Sequence, residues 1–194
     1  MTPSPVKALP FILIGAGLIG ILASLVLTYD TLQIMQNPSY VPPCNINPIL
    51  SCGSVMRTEQ ASLLGIPNSI LGLIAFSALA TFGFMLAGGA QLKRWVWQLT
   101  LGVATIGVLI MHYLFLQAIF VLGTICPWCF VVWMITIPTF WYITLYTVQA
   151  GSVTLPATIR RFVLKYHRDI LILWYVLILG ILAVRFWDFW VSLI

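Results

Sequence analysis

Apolar residues run through this chain in five long blocks, and most polar residues fall in the gaps between them. Crossing about 30 Å of hydrocarbon takes roughly 20 residues of helix. The blocks at 8–29, 68–87, 95–121, 126–148 and 170–190 all reach that length. No water reaches the bilayer core to satisfy a bare amide or carbonyl, so each block is predicted to be a membrane-spanning helix. The longest gap, 30–67, is rich in turn formers around Pro42-Pro43-Cys44 and Cys52-Gly53. Within it, Ser54 to Leu64 mixes Val55, Met56, Leu63 and Leu64 with Arg57, Thr58, Glu59 and Gln60. That stretch predicts a short amphipathic helix lying flat on the membrane surface. The whole of 1–194 reads as one all-α membrane domain, with no internal repeat.

Composition points the same way. Hydrophobic residues make up 61% of the chain and charged residues 7%, against about 25% charged in a soluble domain. The net charge of +5 would suggest nucleic acid only if the basic residues formed one exposed patch. They lie instead in short gaps between apolar runs, as loop charges of a membrane protein do, so no nucleic-acid partner is expected. Lys7 followed by an apolar run looks like a secretory signal at first sight. The run is too long for a signal core and lacks a small-residue cleavage pattern, so it reads as a retained first helix.

The basic residues also set an orientation. Of nine Lys and Arg, seven fall on one side of a five-span chain: Lys7, Lys93, Arg94, Arg160, Arg161, Lys165 and Arg168. Arg57 and Arg185 fall on the other. Positive charge stays on the cytoplasmic side, which puts the N-terminus inside, the C-terminus outside and the 30–67 loop outside. The expected location is a multi-pass protein of the cell inner (plasma) membrane. Arg185 and Asp188, three apart among Trp187, Phe189 and Trp190, read as an interfacial anchor.

All four cysteines then fall on the outer side, where disulfides persist. Cys126-Pro127-Trp128-Cys129 opens the fourth span. Pro suits the first helical position, and a helix N-terminus stabilises a thiolate, which makes a better nucleophile and leaving group. Cys44 and Cys52 sit eight apart in a turn-rich loop short enough to close as a disulfide. Zinc would want two close pairs, and one is present, so no metal is expected. Two disulfide staples in a non-catalytic scaffold are another reading of the same four residues, but a staple on a helix that lipid already fixes adds little. A redox relay is the reading the pattern favours.

Three stretches together resemble the vitamin K epoxide reductase family, specifically its bacterial homologues: Cys44 through Met56, Gly65-Ile66-Pro67-Asn68-Ser69-Ile70-Leu71-Gly72, and the Cys126–Cys129 motif. The resemblance covers about residues 10–150. It implies a four-helix bundle around a quinone of the menaquinone or ubiquinone type, with a peripheral fifth helix. It implies a quinone-dependent thiol–disulfide oxidoreductase that re-oxidises a separate thioredoxin-like protein outside the cytoplasm. In that relay Cys52 would face the partner, Cys44 would attack Cys126, and Cys129 would meet the quinone. Thr58 matches a family Ser/Thr that supports the redox step. Asn68 matches an Asn that bonds a quinone carbonyl, although Asn also caps helices. Trp133 stands where the animal enzymes have Tyr; its ring offers only an N–H donor, which fits quinone reduction better than epoxide reduction. An epoxide or quinone reductase serving a cofactor cycle is the alternative enzyme reading. His112, Tyr113 and Gln117 lie at the depth expected for the quinone head, and polar side chains there invite a functional role. His112 is the candidate proton donor or quinone contact.

Overall fold

The computed structural model of the protein describes residues 5–191. Helix α1 (Pro5–Gln36) leads through a loop to α2 (Cys52–Met56) and a 3-10 turn (Glu59–Ser62). Then come α3 (Asn68–Ala87), α4 (Arg94–Leu116) with a π-helical turn (Gln117–Leu122), and α5 (Pro127–Gln149). Helices α6 (Ala157–Lys165), α7 (His167–Arg185) and α8 (Trp187–Val191) follow. Among the described residues, five helices are long and apolar enough to span a bilayer: α1, α3, α4 with its π turn, α5 and α7. The protein is an all-α, multi-pass membrane protein.

Helix α1 outruns its apolar block by seven residues, 30–36. Nothing in Asp30–Gln36 breaks a helix; the stop comes from Pro38, which disfavours α conformation at Asn37. The helix therefore continues through Asp30, the residue that follows the apolar block, and leaves it buried, 2% exposed. The surface helix expected over Ser54–Leu64 forms differently. Ser51 caps α2, its Oγ accepting the Ser54 amide, so helix starts at Cys52. It then breaks because Thr58 is extended, at φ −91° and ψ 155°. The last apolar block also divides, with α7 ending at Arg185 and Phe186 turning the chain into α8. The Asp188 side chain, and with it the expected Arg185–Asp188 anchor, lies outside the described residues. Helix α6 was hidden in a gap: nine residues with Arg160, Arg161 and Lys165 opposed to Ile159, Phe162 and Val163.

Lipid gives helices no hydrophobic reason to associate, so small residues that allow close approach do much of the work. Helices α1 and α3 illustrate this. A Cβ on Gly17 would come within 2.7 Å of the Ala80 backbone, and one on Gly83 within 2.8 Å of the Ile14 amide nitrogen. Helix α5 packs against both α1 and α4. Helices α3 and α4 stand apart, and an apolar cavity of about 680 Å³ lies between them and against α5. Helix α7 packs on the far side of α4 and α5 and contributes nothing to that cavity. Three side-chain bonds hold it: Trp174 Nε1 to His112 Nε2 at 3.0 Å, Trp141 Nε1 to the His167 carbonyl at 2.8 Å, and Tyr175 Oη to the Met134 carbonyl at 2.5 Å.

Gly17→Leu must therefore push α1 away from α3, whereas Gly15→Leu adds its side chain where no atom lies within 4 Å. Overpacking costs about 1–3 kcal/mol. Thermal unfolding in detergent is expected to show a lower Tm for Gly17→Leu and a near wild-type Tm for Gly15→Leu.

Candidate functional site: two cysteine pairs above an apolar cavity

The loop that carries the first cysteine pair is shaped by its own asparagines. Asn47 Oδ1 accepts the amides of Ile49 and Leu50 at 2.9 and 2.8 Å, which closes the turn. Asn45 Oδ1 accepts the Gly53 amide at 2.8 Å and the Ser51 hydroxyl at 3.2 Å. The two ends of the loop meet, and Cys44 and Cys52 form a disulfide with Cα atoms 5.7 Å apart.

The loop is then fastened to the second pair. The Ile125 amide donates to the Ile49 carbonyl at 2.7 Å, and the Ser51 amide donates to the Ile125 carbonyl at 3.0 Å. The Thr124 hydroxyl adds a third bond to the Ile49 carbonyl at 2.9 Å. Residue 125 directly precedes Cys126, so these bonds set one cysteine pair against the other. The π turn makes this possible: it ends at Gly123 in the left-handed region, φ 64°, a conformation that costs glycine little.

Cys126 is the N-cap of α5, with Pro127 in the first turn, and its Sγ accepts the Cys129 amide at 3.3 Å. An amide aimed at the sulfur favours the thiolate over the thiol. Both Cys126 and Cys129 are free thiols. Leu27, Cys52 and Cys126 form one buried cluster, with Cys44, Cys129, Val55, Met56 and Trp128 packed against it. Cys52 is wholly buried in the cluster that holds Cys126, while Cys44 keeps part of its surface. Capping draws Cys52 inward, because Ser51 starts α2 there.

Below the cysteines, Cys129 and Trp133 line the cavity together with Asn68 and Ser69. Trp133 is 4% exposed and meets Phe115 edge-on, ring centres 5.0 Å apart. Asn68 faces the cavity, yet its amide is already employed. Its Nδ2 donates to the Gln60 carbonyl at 2.7 Å and its Oδ1 accepts the Leu63 amide at 3.1 Å, pinning the 3-10 turn to the start of α3. The Thr58 hydroxyl donates to the Val55 carbonyl at 2.7 Å and closes the break after α2; Thr58 does not line the cavity. His112 does not line it either. Its Nε2 accepts from Trp174, which leaves Nδ1 as the donor to the Val108 carbonyl at 2.8 Å.

Two features escaped the sequence. Ser69 Oγ is buried, lines the cavity and has no hydrogen-bond partner; only its neighbour Asn68 had drawn notice. Asp30 accepts a hydrogen bond from Tyr40 Oη at 2.9 Å on Oδ1, and its Oδ2 lies 3.9 Å from Cys44 Sγ. That hydrogen bond first, then desolvation and the carboxylate's charge, push the Tyr40 hydroxyl above its ordinary range. The signal for Asp30 was there to read: one of four acids in the chain, set against a 22-residue apolar block.

The family model described as "Vitamin K epoxide reductase family" matches residues 11–144, which takes in both cysteine pairs and every helix lining the cavity. No curated protein matches the sequence.

Asn68→Ala removes both bonds that pin the 3-10 turn. At about 1 kcal/mol each, their loss is expected to raise amide hydrogen exchange at Leu63 roughly fivefold or more, while exchange within α3 beyond its first turn stays unchanged.

Proposed function

The chain belongs to the vitamin K epoxide reductase family, a family of membrane oxidoreductases, and we propose that it oxidises a thioredoxin-like dithiol protein with a quinone as the final acceptor. The observation that carries this reading is the continuity of the site. A surface-reaching disulfide, a helix-capping thiol pair and an apolar cavity follow one another with no gap, and Cys129 belongs both to the pair and to the cavity wall.

The residues fit a quinone of the menaquinone or ubiquinone type. Small-molecule sites run to about 300–1,000 Å³, mostly apolar with a few polar groups. Here about 680 Å³ is lined chiefly by aliphatic and aromatic side chains, and the unpartnered Ser69 hydroxyl offers a donor for a carbonyl oxygen. Asn68 and Trp133, which line the cavity with Cys129, would hold the ring. When bound, a quinone supplies an acceptor for two electrons and two protons.

The protein's own part is thiol exchange, each step an attack by thiolate on a disulfide sulfur. Cys44, the loop sulfur with surface, takes the partner's thiolate and releases Cys52. Cys52, already packed with Cys126, carries the electrons inward to it. Cys126 and Cys129 then hold the electron pair at the head of the cavity. The state described here, with loop disulfide closed and helix thiols free, is the one poised to hand that pair on. Thr58 supports the exchange by fixing the turn that follows Cys52. We place the cysteine end outside the cytoplasm and the N-terminus inside, in the inner (plasma) membrane, on the distribution of basic residues.

Quinone reduction by the purified protein, driven by a reduced thioredoxin-like dithiol, is expected to proceed in the wild type and to vanish in Cys129→Ala. Cys44→Ala is expected to lose oxidation of the protein dithiol. A wild type that turns over no quinone with any dithiol would overturn the proposal.

A further inference from the structure

Asp30 is a carboxylate in a costly place. It is 2% exposed, and the partners of its oxygens are a phenol and a sulfur, neither of them cationic. Burying a charge without a counter-charge opposes folding. The two partners also hold it in one position: Tyr40 fixes Oδ1, which leaves Oδ2 facing Cys44 Sγ at 3.9 Å. Its field reaches Cys126 as well. One ionisable group therefore lies against the loop cysteine that has surface.

We infer that Asp30 is the proton acceptor for Cys44 in the exchange that moves electrons from the loop pair to the helix pair. The inference rests on the relay proposed above. With the loop reduced and the helix pair oxidised, Cys52 thiolate attacks Cys126; the Cys52–Cys126 bond forms, Cys126–Cys129 breaks, and Cys129 leaves as thiolate. Cys44, released by the partner as a thiolate and open to the surface, has by then taken a proton from water, and as a thiol it is a poor nucleophile. Its proton passes to Asp30 Oδ2, and its sulfur attacks Cys52. The Cys44–Cys52 bond forms, Cys52–Cys126 breaks, and the electron pair leaves on Cys126. Two electrons have moved from loop to helix, and the proton stays on Asp30. The contact at 3.9 Å is that of the product state, with the Cys44 sulfur already deprotonated and bonded to Cys52. If Cys44 attacks Cys126 directly instead, the same proton must leave the same sulfur.

A tether role for Asp30, tying Tyr40 and the start of the loop to α1, is separated from proton transfer by the pH profile. The titratable and charged groups around it are Tyr29 and Tyr40, Arg57 (whose guanidinium donates to the Tyr40 carbonyl), and the four cysteines. Single-turnover quinone reduction by the full chain in detergent, with dithiol and quinone each raised until the rate no longer depends on them, is the measurement. The wild type is expected to show a rate nearly flat between about pH 6.5 and pH 8.5, the ordinary thiol value. Asp30→Asn is expected to be slower by about 10²-fold near pH 7, the usual size of a general-base effect. Its deficit should shrink about tenfold per pH unit as solvent takes the thiol proton instead. Tyr40→Phe keeps the carboxylate and should keep the flat profile.

A wild-type rate that itself climbs tenfold per pH unit overturns the inference, and needs no variant to fold. So does an Asp30→Asn rate that is slow at every pH or equal to wild type. Absence of any quinone turnover in the wild type is a different outcome: it removes the relay, and this inference with it.

Discussion

Three hydrogen bonds between residues 49–51 and 124–125 are the constraint on which the chemistry of this protein depends. The two cysteine pairs are 74 residues apart between Cys52 and Cys126, on separate elements, and nothing in either element alone would bring them together. The bonds are main-chain ones to Ile49 and Ser51, with Thr124 as a side-chain addition, so they set the register of the loop whatever the state of the sulfurs. A disulfide that opens and closes each cycle could not serve as its own scaffold. Here the scaffold is the backbone bridge, and in the proposed relay the sulfurs exchange beneath it.

The bridge has support on both sides. On the loop side, Asn45 and Asn47 use their carboxamide oxygens to fold the chain from 44 to 53 into a fixed shape. On the helix side, the π turn after α4 and the left-handed Gly123 swing residues 124–125 into line. The 3-10 turn is pinned in the same fashion by Asn68. Asparagine, with an acceptor and a donor on a short stem, does at three points what a sheet would do in a soluble redox protein.

What could be read from the sequence follows from which forces are local. The five apolar blocks were legible because lipid enforces the rule residue by residue, with no need to know the neighbours. Cys126-Pro127-Trp128-Cys129 was legible as a helix start because capping acts within one turn. Helix α1 runs on past its apolar block because hydropathy stops at Tyr29 while the backbone rule stops at Pro38. Roles set by long-range partners were harder. His112 looked free for chemistry, yet both ring nitrogens are taken, one of them by Trp174 from a helix 62 residues away. The deeper burial of Cys52 than of Cys44 follows from which one Ser51 draws into a helix. Asp30 is meaningful only once Tyr40 and Cys44 fold back onto it.

The separation of α3 from α4 has a consequence for selectivity. An apolar molecule that reaches the cavity between those helices comes sideways out of hydrocarbon and never crosses water. Its transfer is from one oily phase to another, so the hydrophobic effect, which normally supplies most of a ligand's affinity, contributes little. Its tail cannot be told from a neighbouring acyl chain by greasiness alone. Discrimination must fall on the few polar atoms and the shape at the cavity head, Ser69, Asn68, Cys129 and Trp133, and occupancy on the mole fraction of the molecule in the surrounding bilayer.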